Sequence, residues 1–376
     1  MKKIIILVLF LFSINGYSQL PLYKTVSGLL KKDILLEANK NLTAKPLTVT
    51  SFKSDRSAGG KHDFFSEGDY WWPDSSNPNG PYIQKDGLTN PDNFTAHRKA
   101  MIRFSRIVAN QTSAYLLTGK AMYAHQAIKH LKAWFVDTNT MMNPSLLYAQ
   151  AIKGKVTGRG IGIIDMIQMI EVAKSIQILE KTNLIKQSDS LKIHQWFSNY
   201  LKWVTTHPYG IDERNAKNNH GTCWVMQVSA FADLVKDTAL LNDCKDRFTN
   251  VIIPNQMDEQ GAFPLELKRT KPYGYSIFNL DAVMTIAHIH KIRDRSLKKS
   301  IQFLYPYIQD KKSWPYSKDV MYWDEWPVAA PFLLFGYINY NESEWLKTWD
   351  QLNHFPTNEE VIRNLPVRNP LIWLID

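Results

Sequence analysis

The sequence predicts an all-α protein built of stacked helical hairpins. Three observations predict it. Apolar residues recur three and four positions apart through most of the chain. Clusters of glycine, proline and asparagine break that pattern at short intervals, as in "HPYG" at 207–210 and "KPYGY" at 271–275. The 376 residues are 44% hydrophobic and 12% aromatic, enough for a sizeable core and unlike a disordered chain.

In chain order, the first element is "MKKIIILVLFLFSINGYSQ". Two lysines, an apolar run from Ile4 to Phe12 and small residues ending at Ser18 read as a secretory signal peptide, residues 1–18. The run is short for a membrane span, so no membrane insertion is expected once the signal is removed. Residues 19–376 are then expected to form one domain, exported to the periplasm or the medium. Losing Lys2 and Lys3 takes the formal charge from +10 to about +8. An exported basic chain without a basic cluster points to an acidic polysaccharide rather than nucleic acid.

Residues 53–93 are rich in Gly, Ser, Asp, Pro and aromatics. Phe64, Phe65, Tyr70, Trp71, Trp72 and Tyr82 predict an ordered covering segment with a mobile stretch near residues 57–61. "DSSNPNG" lacks the spaced acids of a calcium loop. Helices are expected at 100–117, 121–136, 163–179, 191–204, 221–235 and 279–292. The third is apolar nearly all round and should be deeply buried. Cys223, in an apolar helical pattern, reads as a buried free thiol, with a disulfide to Cys244 as the alternative that export permits. No cysteine and histidine spacing makes a zinc site, and no cofactor is expected.

The chemistry gathers in two stretches. "RNAKNNHGTCW", 214–224, sets Asn218, Asn219 and His220 at the mouth of an apolar helix. Helix capping alone would explain an asparagine there. The second stretch, "GAFPLELKRTKPYGYSIFNL", brings Arg269 and Tyr275 in a glycine- and proline-punctuated loop that opens a helix. Amide, imidazole, guanidinium and phenol together suit β-elimination on a uronic acid. Amide and guanidinium groups neutralise the carboxylate, and the C5 proton becomes removable. A base takes that proton, and an acid protonates the departing C4 oxygen. Cationic neighbours that lower its pKa would let a tyrosine do either. In D-mannuronate and D-glucuronate the C5 proton and the C4 oxygen share a face, so Tyr275 can serve both steps. In L-guluronate the faces are opposite, and His220 becomes the base.

These two stretches, with "HDFFSEGDYWWP" at 62–73 and "NPLIWLI" at 369–375, resemble the alginate lyase superfamily of polysaccharide lyases, families five and thirty-eight. The likeness spans most of the chain after residue 18. It implies an (α/α) toroid and cleavage of a 1,4-linked polyuronate, mannuronan or glucuronan, to a 4,5-unsaturated end. It also implies Asn219, His220, Arg269 and Tyr275 as the catalytic set, and a lid near 56–62. The chain departs from mannuronate-specific members at Gly221, Thr222 and Cys223, where those have an aromatic.

Further candidates for substrate binding are Lys61, His62, Tyr70, Trp71, Trp72, Arg98, Arg159, Asn218 and Tyr273. The last also competes with Tyr275 for the catalytic role. Each has a plain structural reading beside it: a loop, a cap, an ion pair or core packing. His288 and His290 read as structural. Two other functions stay open. A glycoside hydrolase needs paired carboxylates, and Glu213 with Asp324 or Glu325 is the available pair. A non-catalytic binder of acidic glycan would not need Tyr275.

Overall fold

The computed structural model describes residues 20–375, so the expected signal peptide lies outside the described residues. The helices are, in chain order, α1 Leu20–Asn41, α2 Ala96–Thr118, α3 Ala121–Phe135, α4 Met169–Glu180, α5 Gln187–Thr206, α6 Pro208–Asn215, α7 Asn219–Val235 and α8 Thr238–Arg247. They continue with α9 Ile253–Gln256, α10 Pro264–Leu267, α11 Pro272–Ile289, α12 Arg295–Gln309, α13 Pro331–Tyr340, α14 Ser343–Gln351 and α15 Glu359–Arg363. None of them is long and apolar enough to cross a membrane.

Burial sorts the helices into two rings. Helices α7 and α11 are buried along nearly every residue, and α4 and α13 along most. Each touches the next: α2 packs on α4, α4 on α7, α7 on α11, and α11 on α13. Helices α5, α12 and α14 bury only a stripe, such as Leu297, Ile301, Leu304 and Ile308 of α12. They form the outer layer, as amphipathic helices must. The C-terminal turn Pro370–Trp373 packs on α2 and α4, and its Trp373 meets Phe335 of α13 with ring centroids 6.2 Å apart, so it bridges the two ends of the row. This is the (α/α) toroid of stacked hairpins.

Several element boundaries differ from the sequence reading, each for a physical reason. Residues 160–166 form a 3-10 helix, and the α-helix begins only at Met169. Asp165 in that turn receives Ser66 Oγ and the Arg98 guanidinium, a polar duty that an all-round apolar helix would not carry. Helix α11 starts seven residues before the expected 279, since proline is tolerated in a first turn. Its first N–H groups, of Tyr273 and Gly274, donate to the Asp319 carboxylate at 2.9 Å each. A Cβ on Gly274 would stand 2.8 Å from that carboxylate. Helices α1, α6, α8, α9, α10, α12, α13, α14 and α15 have no counterpart among the expected helices.

The covering segment is ordered. A two-residue parallel pairing joins β1 (Phe65–Glu67) to β4 (Tyr148–Ala151), and β2 (Trp71–Trp72) pairs antiparallel with β3 (Ile83–Gln84). Side chains complete its backbone bonding: Asn93 Nδ2 donates to Gly68 O at 2.8 Å and the Phe94 N–H to Glu67 at 2.7 Å. Cys223 and Cys244 are buried and unbridged.

Candidate active site

The site lies at the N-terminal ends of α7 and α11. Asn218 caps α7, its side chain accepting from the His220 N–H. The cap has no place in the cavity itself. Gly221 follows His220 because the carbonyl of Ala216 approaches so closely that a Cβ would meet it at 2.2 Å. Gln256 ties the two helices: its Oε1 accepts from Thr222 of α7 at 2.9 Å and from Asn279 of α11 at 3.0 Å.

One cavity is lined by Asn219, His220, Arg269 and Tyr275 together, with Tyr70, Trp71, Gln150 and Arg159 around them. The structure thus brings together residues up to 205 apart in the chain, as in the 2.7 Å hydrogen bond between the phenols of Tyr70 and Tyr275. The Arg269 guanidinium lies 4.5 Å over the Tyr275 ring, and its NH2 is 3.5 Å from the phenol oxygen. Lys271 Nζ sits 5.1 Å over the rings of both tyrosines. The expected fall in the phenol's pKa is not what this environment produces. Burial, with Tyr70 beside it, holds Tyr275 well above its ordinary value, and the opposing pull of Arg269 is outweighed. The phenol rests protonated, a proton donor.

Behind the two polar residues at the mouth of α7 stand two buried glutamates that the sequence reading did not assign to them. Glu266 Oε1 accepts from the Asn219 N–H and its Oε2 from Asn219 Nδ2, both at 2.7 Å. Burial raises the pKa of Glu266 against those two bonds. Glu213, fully buried, places Oε1 2.8 Å from His220 Nδ1. A lone carboxylate inside apolar sequence, as in "PLELK" at 264–268, is the signal that a partner must exist.

The arginines differ in what holds them. Arg269 is gripped by Asp86, at 2.8 Å through NH2 and 3.2 Å through Nε. Arg159 gives its hydrogen bonds to neutral oxygens of Gln150, the carbonyl at 2.9 Å and Oε1 at 3.0 Å. Gln150 takes a left-handed φ of 49° to offer both. Burial lowers the Arg159 pKa to about 10, with Asp165, Asp69 and Glu213 opposing, so it stays charged at neutral pH. Trp71 lies under it, 5.7 Å from ring to guanidinium.

Other candidates fall elsewhere. Arg98 is buried and bound to Asp69 and Asp165, an ion pair of the core. Lys61 and His62 lie off the cavity, with His62 Nδ1 against Met141 O at 2.7 Å. Trp72 donates to Leu88 O beside Lys85. Tyr273 is fully buried among Trp314 and Trp323, and its hydroxyl donates to Tyr307 O at 3.0 Å. Tyr273→Phe is expected to leave kcat unchanged and cost about 1 kcal/mol of stability, read by product absorbance and by urea denaturation. A tenfold loss of kcat would return Tyr273 to the reaction. Asp324 and Glu325 are exposed, and Glu213 faces His220, so the carboxylate pair that a hydrolase needs is not assembled. His288 stacks on Phe335 and His290 meets Ser229, both at the far end of α11. Among the described residues no three His, Cys, Asp or Glu side chains are arranged to hold a metal ion.

The toroid and this cavity define a polysaccharide lyase. More narrowly, the chain belongs to the alginate lyase family, whose model, described as "Alginate lyase", matches residues 48–314. An alginate lyase from Bacteroides ovatus superposes with a TM-score of 0.81 at 29% identity, over 96% of this chain and 98% of that one. Alginate lyase A1-III from Sphingomonas species A1 shares the fold at 14% identity and a TM-score of 0.51, over 84% and 88%. A variant of A1-III complexed with tetrasaccharide gives a TM-score of 0.53 at 14% identity, over 85% and 83%. No curated protein matches the sequence.

Proposed function

We propose that the protein cleaves a 1,4-linked polyuronate, mannuronan or glucuronan, by β-elimination. The observation that carries this reading is the convergence of Asn219, His220, Arg269 and Tyr275 on one cavity. The Bacteroides ovatus alginate lyase, similar over nearly the whole chain, supports it, as does the oligosaccharide complex of A1-III.

The uronate carboxylate is received by Arg269 and Asn219, with Arg159 available to a neighbouring sugar acid and Trp71 as a stacking face. Donors aimed at that carboxylate stabilise the charge that develops when the C5 proton leaves. His220 accepts the proton as the C5–H bond breaks. The C4–O bond breaks, the C4–C5 double bond forms, and Tyr275 protonates the departing oxygen. A phenol protonated at rest is matched to that last step.

The test is a polymer panel followed by the absorbance of the new double bond. Mannuronan or glucuronan is expected to give growing absorbance, and no growth on any polyuronate would end the lyase reading. The shared face of mannuronan and glucuronan would allow one tyrosine to take both steps; a Tyr275 phenol that burial keeps protonated is what assigns the first step to His220 instead.

A further inference from the structure

We propose that Glu213 is the positioning residue that makes His220 a proton acceptor. Glu213 lies in the last turn of α6, two residues from its end, and the Ala216 carbonyl that abuts Gly221 fixes its distance from α7. The carboxylate is fully buried, and Oε1 meets His220 Nδ1 at 2.8 Å. Its second oxygen has no protein partner among the described residues, so the acceptor capacity in use is directed at that one ring nitrogen. An ionised carboxylate only accepts hydrogen bonds. Nδ1 therefore carries the hydrogen, and Nε2 keeps its lone pair for the cavity that His220 lines. Other groups feel this pair from each neighbouring element: Arg159 before the 3-10 helix, Tyr200 of α5, Cys223 of α7 and, on the histidine side, Glu266 of α10.

The inference does not follow from lyase activity alone. A histidine serving only to neutralise a substrate carboxylate would need a hydrogen on Nε2, the opposite arrangement. The kinetic arm of the test rests on the lyase reading; the spectroscopic arm does not. In the full-length 15N-labelled protein at pH 7.5, the His220 signals, assigned by their loss in His220→Gln, are expected to show hydrogen on Nδ1 and a bare Nε2. Hydrogen on Nε2, alone or with Nδ1, overturns the proposal whether or not a substrate is known. With a cleaved polyuronate in hand, Glu213→Gln is expected to lower kcat about 100-fold with KM within about threefold, since an amide no longer dictates the tautomer. Glu213→Asp, which keeps the acceptor, recovers part of the loss. A Glu213→Gln enzyme with wild-type kcat overturns it as well.

Discussion

Tyr275→Phe gives a folded protein that binds polyuronate and does not cleave it. The expected loss in kcat is about 10³-fold, the size of a single well-placed proton transfer. KM should change little, because the ring that carries Arg269 and Lys271 remains. The folded state loses one phenol hydrogen bond to Tyr70, about 1 kcal/mol. The pH profile of the parent enzyme reports which proton the phenol handles. Burial holds the Tyr275 pKa above the ordinary 10, so an acid role predicts no loss of kcat through phenol ionisation between pH 7 and that value. A phenolate base would instead make kcat climb about tenfold per pH unit over the same range. Such a climb, or more than a tenth of parental activity in Tyr275→Phe, would displace the tyrosine from the donor role.

Glu360→Gln is expected to be the most destabilising single substitution near the site, by about 3–5 kcal/mol. Glu360 is buried, and its two oxygens accept from Lys271 Nζ at 2.9 Å and from Arg363 Nε and NH2, each at 2.8 Å. Removing the negative charge leaves Lys271 in the core without its counter-ion, while Arg363 keeps only Asp69. Burial opposes ionisation of Glu360, but Arg363 and Lys271 outweigh it and hold the pKa far below the usual carboxylate value of 4.5. The stability this pairing contributes is complete above 4.5 and is lost as pH falls through the lower folded value. Denaturant midpoints of parent and variant should therefore differ most at neutral pH and converge on acidification. Equal midpoints at pH 7 would mean that Lys271 and Arg363 are held without Glu360. Activity is expected to drop too, because Lys271 sits over both Tyr70 and Tyr275.

Much of the scaffold was legible as periodicity. Helices α2 and α3 lie where apolar spacing put them, and α7 begins at the asparagine and histidine that read as a helix mouth. The misses have local causes. Pro272 and Gly274 read as helix breakers, although a first turn tolerates proline and Asp319 supplies the acceptor that the turn lacks. Helix α1 buries Leu22, Val26, Leu30, Ile34 and Ala38, a stripe at uniform four-residue spacing that the chain shows without any tertiary contact. Among the site residues, the same polar letters had different fates. Arg98 and Arg159 both read as carboxylate binders; Arg98 meets Asp69 and Asp165 in the core, and Arg159 meets only neutral oxygens at the cavity. Tyr273 and Tyr275 are two positions apart on α11, and a helix turns them to different surroundings. One is packed into aromatic core and the other lines the site.

The sequence by itself determined the course of α2, α3, α5 and α7 and set Asn219 and His220 at a helix mouth, because those follow from repeats a few residues long. Only the tertiary structure decided the partner of each group. Asp86 reaches Arg269 across 183 residues, Glu360 reaches Lys271 across 89, and Glu266 reaches Asn219 across 47. Coulomb attraction and hydrogen bonding act over a few ångströms of space, and no periodicity along the chain records which distant carboxylate folding will bring that close.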